Sequence, residues 1–78
     1  MQTLSHSQAH AATVSTAARN IADKAKSNQN ITAQSLRQEA EDGLIDGWLS
    51  VRGVSQCNFS QWTAAMFMAA NLFELGAA

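Results

Sequence analysis

From Phe59 to Leu75 the chain lays apolar side chains around well over half of a helical circumference. Taken at about 100° per residue, the arc holds Phe59, Trp62, Met66, Met68, Ala69, Leu72, Phe73 and Leu75. Ser60, Thr63, Asn71 and Glu74 keep only a thin polar strip, and Phe67 interrupts it. A helix apolar nearly all round demands burial nearly all round. Two arrangements meet that demand. Either this helix is the central rod of a compact bundle, or part of its surface is reserved for another chain.

The rest of the sequence supplies two more helices. The first is expected over about 5–27, capped by Thr3 or Ser5. Its apolar positions are Leu4, Ala11, Val14, Ala18, Ile21 and Ala25, which from Ala11 onward alternate in steps of three and four. That seam is narrow and mostly alanine, so a neighbour can come close while burying little area. Ser27-Asn28-Gln29-Asn30 reads as a loop.

A second helix is expected over about 33–52. Thr32 is its cap, and Ile31 is spaced to pack on Leu36 as a hydrophobic staple. Its core stripe is Leu36, Ala40, Leu44, Gly47, Trp48 and Val51, with Gly53 as a left-handed stop. Gly43 and Gly47 in a helix interior would each cost roughly 1 kcal/mol against alanine. Ile45 and Leu49 lie off the stripe, and Glu39, Asp42 and Asp46 form an acidic edge opposite it. The third helix, about 58–75, starts with Asn58 as cap and Gln61 in the capping-box position, and Gly76 ends it. With no proline anywhere and no hairpin dipeptide between alternating apolar residues, the expected class is all-α. The expected architecture is a small three-helix bundle, one domain over 1–78.

Two helices, one of them lined by alanine, cannot easily cover the third, and this mismatch favours a reserved surface. A domain this short hides only about 60% of the surface its unfolded chain exposes, so a partner is a natural source of stability. The single cysteine, Cys57, excludes an internal disulfide and fits a reducing, cytoplasmic setting. Residues 1–13 are polar, without the basic start and apolar run of a secretory signal. A net charge of −1 offers no long-range pull on nucleic acid or anionic lipid. Gln61, Asn71 and Glu74 within the apolar helix, with no basic flank after it, argue against insertion in a membrane.

No constellation carries chemistry. His6 and His10 share a helical face, but zinc needs three or four ligands and no third is at hand. Glu39, Glu41, Asp42 and Asp46 would need a cleft to act as acid and base. Cys57 lacks a nearby base. Neither a glycine-rich phosphate loop nor zinc spacing occurs, so no catalytic residue, metal or cofactor is expected.

One stretch, Trp48 through Trp62, resembles a helix-turn-helix. Gly53 stands at the turn, and Trp48, Phe59 and Trp62 fall where that motif buries apolar side chains. The resemblance implies Ser55, Gln56, Asn58 and Gln61 as base-reading residues. Leu49 and Arg52 depart from the pattern. Charge opposes it too, since no lysine or arginine follows Gly53 and phosphate contacts supply most of such affinity.

The sequence therefore points to a small non-enzymatic protein–protein interaction module, an inhibitor, adaptor or homo-oligomeric helper. It would dock on a larger protein or on its own copies, as a homo-oligomer or hetero-complex. The expected contact residues are Phe67, Ile45 and Leu49, with Glu39, Asp42 and Asp46 steering toward a basic target. A helix-turn-helix DNA-binding regulator is the alternative.

Overall fold

A computed structural model describes the backbone of residues 6–28 and 30–77 and the side chains of 11–28 and 30–76. The expected class holds. Three helices, α1 (His6–Lys26), α2 (Ala33–Asp42) and α3 (Phe59–Ala77), are joined after α2 by two 3-10 turns, Ile45–Trp48 and Val54–Gln56. No strand occurs among the described residues. The expected first caps, Thr3 and Ser5, and the seam residue Leu4 lie outside them.

α3 is the hub, and both other helices pack on it. Lys26 at the end of α1 lies against Gly76 at the end of α3, so these two helices share a direction. α2 runs the opposite way. Its Arg37 reaches Asn71 and Glu74 late in α3, while Gly43 just past its end abuts Phe59 at the start.

The core is thin, and more than half of its residues are alanine. Val14, Ala18, Ile21 and Ala25 of the expected α1 seam are all buried, and Ala17 and Ala22 widen it. Ala11 of that seam is exposed. On α3 the small residues Ala65, Ala69 and Ala70 are fully buried too, and they let the neighbouring backbones approach. Trp62, Ile21, Leu36, Met66 and Val54 are the largest fully buried side chains. The indole N–H of Trp62 meets no acceptor among the described residues, an omission that ordinarily costs about 1–3 kcal/mol.

The second helix is shorter than expected, ending at Asp42 rather than near residue 52. Gly43 takes the left-handed conformation, φ 72°. Its N–H donates to the Ala40 carbonyl and that of Leu44 to the Glu39 carbonyl, the paired bonds of a Schellman stop. Four expectations change with this turn, because a helical wheel no longer relates the residues beyond it to α2. Leu44 leaves the core and is half-exposed. Gly47 is exposed. Ile45, expected to face away, packs on the core. Asp46 sits on a 3-10 turn, off the edge of Glu39 and Asp42. Gly53 does adopt φ 92°, yet it caps the second 3-10 turn instead of ending α2.

Candidate interaction surface

The segment 43–58, though irregular, is tied down by side chains from both preceding helices. Trp48 is buried, with its indole N–H donating to Glu39 Oε1 at 3.3 Å. The Lys24 ammonium lies 5.0 Å from the centre of the Trp48 ring and donates to the Gly47 carbonyl at 3.2 Å. Asn20 of α1 donates to the Arg52 carbonyl at 2.6 Å. Gly53 closes the contact. A Cβ there would stand at ordinary contact distance, 3.4 Å from Thr16 and 3.6 Å from the Ala17 backbone, and it is the φ of 92° that calls for glycine. Val51 and Val54 are buried beside it.

This packing does not make a helix-turn-helix. Residues 48–58 form 3-10 and irregular turns, and regular helix begins only at Phe59. Trp48 and Trp62 are buried as that motif would have them, but Phe59 is exposed. Two of the implied base-reading side chains are already engaged. Asn58 Oδ1 accepts from the Gln61 backbone N–H at 2.8 Å, and Gln61 Oε1 accepts from that of Asn58 at 2.9 Å. They form the expected capping box of α3. At the head of α2 Thr32 likewise caps, reciprocally with Ser35. Ile31 packs on the core as a staple would require.

The expected acidic residues line or flank a shallow groove along α2. Its volume is about 560 Å³, and Gln38, Glu39, Asp42 and Leu44 are among its walls. Both carboxylates have internal partners, Glu39 in Trp48 and Asp42 in the Gln38 amide. Asp46 is exposed and outside the groove. The described residues hold no cluster of three or more potential metal ligands. The side chains of His6 and His10 lie outside the described set. Cys57 is half-buried, its thiol donating to the Gly53 carbonyl at 3.5 Å, and burial pushes its pKa up. A neutral, hydrogen-bonded thiol is a poor nucleophile. No described helix is long and apolar enough to cross a membrane.

The outer face of α3 is different in kind. Ala64, Met68, Leu72 and Leu75, spaced by four, four and three, fall within an arc of about 80°, and all are exposed. Leu75 is 75% accessible. Phe67 is exposed at 36%, on the other side of Asn71 from this stripe. From the polar strip Asn71 and Glu74 meet α2, where Arg37 binds Asn71 at 2.9 Å and pairs with Glu74. The pair holds the Glu74 carboxyl below its ordinary pKa, first by the hydrogen bond and then by charge. It raises that of Arg37 in the same way. So the polar side of α3 is occupied and the apolar side is open. Leu49, from the irregular segment, is also exposed, at 48%.

The chain matches no family model, no curated protein and no solved structure.

Proposed function

We propose that this chain is a non-enzymatic protein–protein interaction module that docks through the outer face of α3. A single observation carries the reading. The most apolar helix of the chain keeps Met68, Leu72 and Leu75 exposed although it is the hub of the bundle. Apolar side chains clustered on one face mark an interaction site more often than neglect, and the flexible, polarisable side chain of Met68 on that face suits an adaptable contact. Phe67 and Leu49 extend the contact at its margins. Glu39, Asp42 and Asp46 stand off the face and give steering toward a basic surface rather than contact. Ile45, packed on the core, supports the fold and is not part of the contact.

The test is affinity capture of the tagged chain from its native lysate, with and without nuclease, beside a Leu72→Glu variant. The reading expects a protein held by the native chain in both samples and lost with the variant. Retention that vanishes with nuclease would overturn it in favour of nucleic-acid binding.

A further inference from the structure

We propose that residues 44–52 form a strap that opens and closes as a unit while α1 and α2 stay packed on α3. The strap hangs between two left-handed glycines, Gly43 at φ 72° and Gly53 at φ 92°. A residue without a Cβ moves through backbone conformations at little steric cost, and a few such positions are enough to absorb a hinge motion. Among the described residues no backbone hydrogen bond ties the strap to α1 or α3. Its own bonds reach no farther than Glu39 before it and Val54 after it. Within it only Trp48 and Val51 are buried, Ile45 is half-buried, and the rest is exposed. Val54, just past the second glycine, is fully buried and marks where the fixed part of the fold resumes.

A small set of side-chain contacts around Trp48 holds the strap shut. The Lys24 ammonium of α1 lies over the Trp48 ring, and the indole N–H donates to Glu39 of α2. One side chain thus bridges two helices that otherwise meet chiefly through α3. Lys24 also donates to the Gly47 carbonyl, and Asn20 to the Arg52 carbonyl. Both of these ties are exposed. At the surface a cation over a ring or a single hydrogen bond is individually weak. A segment with few buried side chains and solvent-exposed ties is the kind that opens ahead of the whole molecule. Opening withdraws Trp48 and uncovers its seat between α1 and α2. Trp48 is the latch, and the charge on Lys24 keeps it fastened.

Native-state hydrogen exchange on the full chain tests this, read by NMR in urea concentrations below the unfolding transition. The Val51 N–H, bonded to the Trp48 carbonyl at 2.9 Å, and the Val54 N–H, bonded to the Val51 carbonyl at 3.1 Å, report on the strap. The amides of Met66 and Ala69, buried in α3, report on the whole fold. The two strap amides should share one opening equilibrium, populated at least about tenfold more than that of α3. It should be nearly flat in urea, because little surface is exposed. Lys24→Gln should raise the strap opening about two- to fivefold, and since Lys24 is exposed the variant keeps its helical circular dichroism. Strap amides that follow the rate and urea slope of α3 from the start would mean that the segment opens only with the whole molecule, and would overturn the strap. Unrelated rates at Val51 and Val54 would overturn its motion as a unit. An unchanged strap opening in folded Lys24→Gln would overturn the latch. None of these outcomes bears on the capture experiment, which reads a different surface.

Discussion

Lys24 and Trp48, 24 positions apart in the chain, are joined at 5.0 Å by an ammonium over an indole face. That contact fastens the irregular segment to α1 where no regular helix does so. Replacing Trp48 with alanine should cost about 3–5 kcal/mol, the range for emptying a buried aromatic site. Lys24→Gln should cost only about 0.5–1 kcal/mol, since the cation is exposed. Urea unfolding followed by circular dichroism measures both. Equal losses in the two variants would mean that the ammonium, not the packing of the ring, holds the segment.

Two glycines separate backbone need from mere presence. Gly53→Ala places a Cβ in a left-handed conformation and against Ala17, and should destabilise by about 1–2 kcal/mol. Gly47 has open space around it and no positive φ. Gly47→Ala should be neutral or stabilising by up to about 1 kcal/mol. Melting temperatures of the two variants should fall on opposite sides of the native value or nearly so.

The Arg37–Glu74 pair predicts a pH dependence with a definite sign. Arg37 depresses the folded-state pKa of Glu74. Its contribution is therefore present above the unfolded pKa and fades as pH falls through the depressed folded value. The difference in melting temperature between the native chain and Glu74→Gln should be largest near neutrality and shrink on acidification. A difference that grows toward acid pH would contradict the pairing.

Asn58→Ala removes one half of the α3 capping box and should cost about 1 kcal/mol. Asn58→Asp keeps an acceptor at that position and should restore most of it. If Asn58 instead served a nucleic acid, both variants would fold as well as the native chain and differ from it only in binding, which a duplex mobility assay would register.

What could be read from the sequence was what depends on near neighbours. Thr32, Asn58 and Gln61 act on groups within four residues, so spacing alone reveals them. The α1 seam was visible because alanine and valine recur in step with the helix. The end of α2 was not, because Gly43 and Gly47, four apart, suit a helix interior, a close approach or a stop equally well. The stop is decided by tertiary contact. Trp48 has to reach Lys24 and Glu39, which a continuous helix from Ala33 would not let it do. The apolar excess of α3 was legible in amount but not in direction. Sequence presents the polar strip as the outward side, whereas Arg37 of α2 claims Asn71 and Glu74 and leaves Met68, Leu72 and Leu75 outside. Phe67, the first candidate by pattern, sits at the margin of that face.

The alanine contact between α1 and α3 makes the protein unequal in the changes it can absorb. Removing atoms there, as in Ala69→Gly, forfeits one methyl and some helix propensity, about 1 kcal/mol on the latter account. Adding them, as in Ala69→Leu, forces a larger side chain into a fully buried position, and overpacking of that kind costs about 1–3 kcal/mol or more. The chain can drift toward smaller residues along this line far more easily than toward larger ones. Growth in its size or stability would have to come from the open side of α3.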